Sequence, residues 1–238
     1  MKTVLITGAS RGIGCAMVKL FSERGYSVAF TYKKSDEAAK ELSEQTGALA
    51  IKADSSVEAD VVRAVKTVED KLGNVDILIN NAAVSSFALF TDITLDEWNE
   101  IFSVNVNGAF MYSKAVLPSM ISRKYGRIIN ISSVWGITGS SCEVHYSATK
   151  AAIIGMTKAL AKEVGPSGIT VNCIAPGVID TEMNSKLSDE DMRQLSDDTP
   201  LMRIGKPQEI AAAALFLAGD EASFITGEVL NVSGGYVI

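Results

Sequence analysis

Histidine is almost missing from this sequence: one residue, His145, stands in 238, beside three cysteines. Cys15, Cys142 and Cys173 are odd in number and lack Cys-x-x-Cys spacing, which disfavours both a disulfide framework and a Cys/His zinc site. Long apolar runs are missing too. The longest stretch without a polar side chain, Ile210 to Gly219, is about half of the roughly 20 residues that cross a bilayer, so it reads as a buried helix. Met1 to Thr7 reaches Gly8 too soon for the apolar region and cleavage site of a signal peptide, which places the protein in the cytosol, with no membrane partner. Nor is there an excess of positive charge. Lys and Arg number 22 against 28 Asp and Glu, a net charge of −6, so the chain is repelled by phosphate backbones and no nucleic-acid partner is expected.

What is present is an ordinary globular balance, 47% hydrophobic and 21% charged. Short β-branched runs at Thr3 to Thr7, Ser27 to Tyr32, Ala48 to Lys52, Val75 to Asn80, Arg127 to Ser132, Ile169 to Ala175 and Glu228 to Val232 read as strands. Between them lie helical patterns at Ile13 to Arg24, Asp36 to Gln45, Glu58 to Leu72, Leu95 to Arg123, His145 to Val164 and Pro207 to Ala218. Such alternation predicts an α/β fold: a doubly wound Rossmann domain with a seven-stranded parallel sheet and helices on both faces. No linker or internal period divides the chain, so residues 1–238 read as one domain. The polar, Met-containing segment from Thr181 to Lys206 breaks the rhythm and is expected as a lid.

The first strand runs into Gly8-Ala9-Ser10-Arg11-Gly12-Ile13-Gly14, which opens a helix. Glycines at that junction permit a tight turn and close approach of backbone to a pyrophosphate, and the free N–H groups at a helix start attract its charge. A site for NAD usually ends its second strand with Asp or Glu on the ribose hydroxyl. Here stands Tyr32-Lys33-Lys34, and with Arg11 these cations suit a 2′-phosphate, so the expected cofactor is NADP(H). Asp54 after the third strand is a candidate for the adenine amino group, and Asn81 and Ala82 end the fourth strand beside the cofactor.

Tyr146-Ser147-Ala148-Thr149-Lys150 sets a phenol and an ammonium four residues apart, on one helical face. A neighbouring cation favours phenolate, so the pair suits proton transfer. Ser133 follows the fifth strand and Asn105 lies within a long helical pattern. Taken in order, Thr7-Gly8-x-x-x-Gly12-x-Gly14, Asn80-Asn81-Ala82, Asn105, Ser133, Tyr146-x-x-x-Lys150 and Pro176-Gly177 resemble the short-chain dehydrogenase/reductase family over essentially the whole chain.

The resemblance implies that Tyr146 protonates a substrate carbonyl oxygen held by Ser133 while hydride arrives from the nicotinamide. It further implies that Lys150 binds the nicotinamide ribose and lowers the tyrosine pKa, and that Asn105 positions a water that returns protons through Lys150. Pro176-Gly177 through Thr181 resembles the segment touching the carboxamide. It also implies a homotetramer, the helices ending near Arg123 and Val164 pairing at one interface and Gly234-Gly235-Tyr236 lying near another. Ala83 stands where the family usually has glycine. His145 points about 100° from Tyr146 and is expected at the surface; Cys142 is expected at the pocket, Cys15 and Cys173 in the core.

Gly168-Ile169-Thr170-Val171-Asn172 and Ile225-Thr226-Gly227 resemble 3-oxoacyl-[acyl-carrier-protein] reductases of fatty-acid synthesis, with Arg123, Lys124 and Arg127 as a docking patch for an acidic acyl carrier protein. Ser167 stands where those enzymes often carry a basic residue. A narrower likeness runs from Ser132-Ser133-Val134-Trp135-Gly136 through Ser141-Cys142-Glu143-Val144 to Tyr146. It is similar to reductases of a 5-aminopentanone group on elongation factor P, with Glu143 facing the substrate's ammonium or serving only as a helix-start carboxylate. Another small ketone is the third possibility. A non-enzymatic NADP(H) sensor on this fold is expected to lack Tyr146, Lys150 or Ser133, and all three are present.

Overall fold

The alternating β-branched runs pair into one seven-stranded parallel sheet in the computed structural model, which describes residues 1–182 and 188–237. Its strands are β1 (Thr3–Ile6), β2 (Ser27–Tyr32), β3 (Leu49–Lys52), β4 (Ile77–Asn80), β5 (Gly126–Ile131), β6 (Ile169–Pro176) and β7 (Val229–Val232), in the spatial order β3-β2-β1-β4-β5-β6-β7. The order reverses between β1 and β4, whose residues Leu5 and Leu78 are paired. Doubly wound sheets bind ligands in the crevice beyond the C-terminal strand ends at that reversal.

Side chains leave a strand on alternate faces, and the core divides accordingly. Val4 and Ile6 of β1 face the layer of α1 (Gly12–Glu23), α2 (Asp36–Thr46) and α9 (Pro207–Ala218). Leu5 faces the opposite layer, built from α3 (Glu58–Leu72), α5 (Gly108–Arg123) and α7 (Val144–Val164). Met17 and Phe21 of α1 are fully buried, each worth about 1.5–3 kcal/mol in burial alone. Both faces are covered, so the central strands read as continuous apolar runs.

The helix expected from Leu95 to Arg123 is interrupted. A capping box opens α4 (Leu95–Phe102): Thr94 Oγ1 accepts the Glu97 N–H, and the Glu97 carboxylate accepts the Thr94 N–H. A π-turn, Ser103–Asn107, then separates α4 from α5, with the Gly108 N–H donating to Ser103 O five residues back. Gly108 lies against the loop after β3, where a Cβ would stand 2.9 Å from Ser55 O. The wider turn carries Asn105 inward, to 3% exposure.

Beyond β5 comes a short helix, α6 (Trp135–Thr138). Of the segment 181–206 expected as a lid, residues 183–187 lie outside the described residues; the remainder holds α8 (Asp189–Asp197) and returns through a parallel bridge between Ile179 and Gly205. Among the described residues, no helix is long and apolar enough to cross a membrane.

Of the basic patch expected for docking an acidic carrier protein, Lys124 alone is exposed. Arg123 pairs with Asp76 at 2.5 Å and donates to Val75 O, and Arg127 is 5% exposed, its guanidinium against the Tyr125 ring. These residues flank the starts of β4 and β5, at the end of the sheet opposite the crevice.

Candidate active site

At the crevice, β1 ends in Thr7, whose hydroxyl accepts the N–H groups of Asn81 and Ala82 at 3.0 Å each. The Asn81 amide donates back to Thr7 O and Gly8 O, so the loops after β1 and β4 form one floor. Two glycines serve that packing. A Cβ on Gly8 would stand 2.6 Å from Ala82 Cα, and one on Gly14 would stand 2.5 Å from Ala9 Cα. Gly12, whose φ of +55° is left-handed like that of Gly8, differs in its space: a Cβ there would meet nothing nearer than the Thr181 methyl at 3.5 Å. Gly12 thus faces open space across from Thr181, at the start of α1, where no side chain caps the helix and its first turn holds no acidic residue. Free N–H groups, a helix dipole and an open glycine face suit a dinucleotide's pyrophosphate.

Ser10 and Ile13 are half-buried within the same loop. Arg11 reaches across to Glu182 at 2.9 Å, joining the glycine loop to the segment expected as a lid. At the end of β2, Tyr32 is half-buried and Lys33 pairs with Asp54 at 2.6 Å. Asp54 also accepts the N–H and hydroxyl of Ser56, so its carboxylate is held by this chain's own donors. Lys34 is exposed. On the far side, Pro176 O accepts the Val134 N–H and the Gly177 N–H donates to Val232 O, fixing the end of β6 beneath the site.

The second constellation stands on β5 and α7. Tyr146 is 8% exposed and its hydroxyl lies beside the Ser133 side chain, while Ser133 Oγ accepts the Trp135 N–H at 3.1 Å. Lys150 is 3% exposed; its ammonium donates to Ile131 O at 2.9 Å, and Ser132 Oγ donates to Lys150 O at 2.8 Å. Asn105 donates from Nδ2 to Val84 O and to Thr149 Oγ1, and its Oδ1 accepts the Val84 N–H. Thr149 Oγ1 in turn donates to Tyr146 O at 2.7 Å. Asn105, Ser133, Tyr146 and Lys150 therefore come together from three separate elements. Three hydrogen bonds hold the Asn105 side chain in place.

The electrostatics differ from the expectation that Lys150 lowers the tyrosine. Burial pushes the Tyr146 phenol above the ordinary tyrosine range, with the Glu143 carboxylate adding to the rise and the Ser133 side chain alone opposing it. Burial likewise lowers the Lys150 ammonium to about 8. In this environment Tyr146 holds its proton across the neutral range. Glu143 precedes α7, half-buried and itself pushed up by burial.

His145 is not at the surface. It is 1% exposed, under α4, with Nε2 meeting Ser86 Oγ at 2.5 Å. Cys173 is buried, whereas Cys15 and Cys142 are half-buried. Two supporting roles were not read from the sequence, although both residues stand in its motifs. Thr7 and Thr149 carry their hydroxyls at a strand end and one helical turn from Tyr146, and that spacing was the available signal.

A family model described as enoyl-(acyl carrier protein) reductase matches residues 8–237. The chain is 43% identical to the 3-oxoacyl-[acyl-carrier-protein] reductase FabG of Vibrio harveyi, over 98% of this chain and 96% of that protein. It is 41% identical to an acetoacetyl-CoA reductase of Shinella zoogloeoides, over 98% of each. Among solved structures, a short-chain dehydrogenase/reductase of Brucella melitensis, described as a glucose/ribitol dehydrogenase, superposes with a TM-score of 0.94 at 33% identity, covering 100% of this chain and 97% of that one.

Proposed function

This chain belongs to the short-chain dehydrogenase/reductase family, and from that premise we propose that it is an NADPH-dependent reductase of a 3-oxoacyl-[acyl-carrier-protein] thioester, yielding the 3-hydroxyacyl form in fatty-acid synthesis. The observation that carries the reading is the Tyr146 hydroxyl, kept protonated by burial and set beside the Ser133 side chain. A carbonyl oxygen gaining negative charge needs a proton donor and a second hydrogen-bond donor at one point, and these two hydroxyls supply both.

The residues fit a nicotinamide dinucleotide. Gly12 and the uncapped start of α1 would hold its pyrophosphate, Lys34 with Lys33 and Arg11 its 2′-phosphate, and Lys150 its nicotinamide-side ribose. When bound, the dinucleotide supplies the hydride. Tyr146 donates its proton to the substrate oxygen, and Ser133 holds that oxygen in place. Lys150, anchored by Ile131 O, supplies the nearby positive charge. Asn105 and Thr149 fix the backbone of Tyr146. Pro176, Gly177 and Thr181 form the wall facing the nicotinamide.

Phe110 and Ile121 of α5 and Phe224 near β7 are exposed, which supports a homotetramer as the assembly. A cytoplasmic location accords with this chemistry. A single-turnover assay with NADPH and a 3-oxoacyl carrier-protein thioester tests the function.

One observation favours a second reading. Glu143 lies near Tyr146, half-buried, beside Ser140. A carboxylate there suits a substrate with an ammonium group, such as the 5-aminopentanone borne by elongation factor P. Glu143→Gln would separate the two readings: it would impair reduction of an amino ketone and spare the thioester.

A further inference from the structure

Residues 81–89, between β4 and α4, have no regular secondary structure, yet they are tied to the catalytic elements at alternate positions. Asn105 holds Val84 through both its N–H and its carbonyl, at 2.8 and 2.9 Å. The Cys142 carbonyl accepts the Ala88 N–H at 2.9 Å. Between these ties, Ser86 Oγ meets His145 Nε2 at 2.5 Å. Of the residues between the ties Ser85 is half-buried and Phe87 is 76% exposed; Ser86 itself is exposed, and Leu89 beyond the last tie is 61% exposed.

His145 immediately precedes Tyr146 in the first turn of α7. Its ring is buried, and Nδ1 has no hydrogen-bond partner among the described residues. An imidazole buried with one nitrogen unpaired costs stability that an apolar side chain of similar volume would not. Packing therefore does not account for histidine here; among the described residues its ring is hydrogen-bonded to Ser86, and the Glu97 carboxylate of α4 is the charged group near it. The residue joins the mouth of the site to the turn that carries the proton donor.

We propose that His145 is a positioning residue: through Ser86 it fixes residues 84–90 as one wall of the substrate site, in register with the Tyr146 hydroxyl. A substrate resting on that wall has its carbonyl set against Tyr146 because wall and donor hang from the same helical turn. The proposal rests on the reading of Tyr146 as proton donor. It concerns the placement of substrate and leaves the dinucleotide site untouched.

The test compares Ser86→Ala, His145→Leu, the double variant and His145→Gln, whose amide reaches toward Ser86 as Nε2 does. The readouts are kcat and KM for a 3-oxobutanoyl thioester, the Kd of NADPH, and hydrogen exchange of the amides in 84–90. Ser86→Ala and His145→Leu should each raise KM about tenfold, the size of one lost hydrogen bond, with kcat held within about twofold and NADPH affinity unchanged. Exchange in 84–90 should quicken, the double variant should be no worse than either single one, and His145→Gln should recover most of the loss. Wild-type kinetics and exchange in Ser86→Ala, which sits on a partly open segment and should fold, would overturn the proposal. So would multiplicative effects in the double variant, or a parallel loss of NADPH affinity. A wild-type protein inert toward every carbonyl would instead defeat the functional reading, and exchange in 84–90 would still decide for or against the tie.

Discussion

The Lys150 ammonium lies over the face of the Tyr146 ring, 5.5 Å from its centroid, and its hydrogen bond runs to Ile131 O rather than to the phenol. The phenol lies instead beside the Ser133 side chain. Proton donor and cation are thus held by different partners, and each is open to separate disruption. Tyr146→Phe removes the donor and leaves ring, cation and glycine loop in place. It should lower kcat by about 10²–10⁴ while NADPH affinity and thermal midpoint stay near wild type, measured by fluorescence titration and calorimetry. A variant within a few-fold of wild-type kcat would show that another group gives the proton.

The pH profile should be governed by Lys150 rather than by Tyr146. Burial lowers Lys150 to about 8 and raises Tyr146, so kcat/KM for reduction should hold below about pH 8 and fall above it as the ammonium is lost. Stability runs the other way for this lysine. Its folded-state value lies below its ordinary 10.5, so the unfolded chain binds more protons between about 8 and 10.5, and stability rises through that window. Lys150→Met should accordingly be inactive, yet gain most in thermal midpoint over wild type below pH 8. That advantage should shrink toward pH 10.5. A constant difference across the range would contradict the burial account.

The strands and the glycine loop were legible in the sequence because a sheet covered on both faces leaves continuous β-branched runs, and a strand-to-helix turn demands glycine. The π-turn was not. Val104, Asn105 and Val106 fit a helical pattern as well as a wider turn, and only the packing of Gly108 on Ser55 distinguishes them. His145 was misread because helix angle places a residue relative to Tyr146 but says nothing of what packs above it; α4 covers the face expected to be open. Arg123 and Arg127 looked like a surface patch because their partners, Asp76 and the Tyr125 ring, are brought to them by the fold.

Gly12 and Gly14 of the glycine loop should separate by role. Gly12→Ala strains a left-handed residue, at about 1–2 kcal/mol, yet has room, so the protein should fold and lose NADPH affinity. Gly14→Ala drives a methyl to 2.5 Å from Ala9 Cα and should lower the thermal midpoint more, before any ligand is added. Equal thermal midpoints for the two variants would contradict this division.

Cofactor preference should rest more on Lys34 than on Lys33, because Lys33 is shared with Asp54 at 2.6 Å while Lys34 stands exposed at the end of β2. Lys34→Ala should reduce the NADPH-to-NADH ratio of kcat/KM by about tenfold, the worth of a charge-assisted contact to phosphate, and Lys33→Ala by less. The check is initial rates with both cofactors at one carbonyl concentration; a larger effect at Lys33 would reverse the assignment.

The most direct test of the account is NADPH oxidation by the purified protein, followed by absorbance, with a 3-oxoacyl carrier-protein thioester as substrate. Turnover that yields the 3-hydroxyacyl thioester, is far slower with NADH and is lost in Tyr146→Phe is the expected result. No oxidation of NADPH with that thioester, under conditions where the dinucleotide binds, would contradict it.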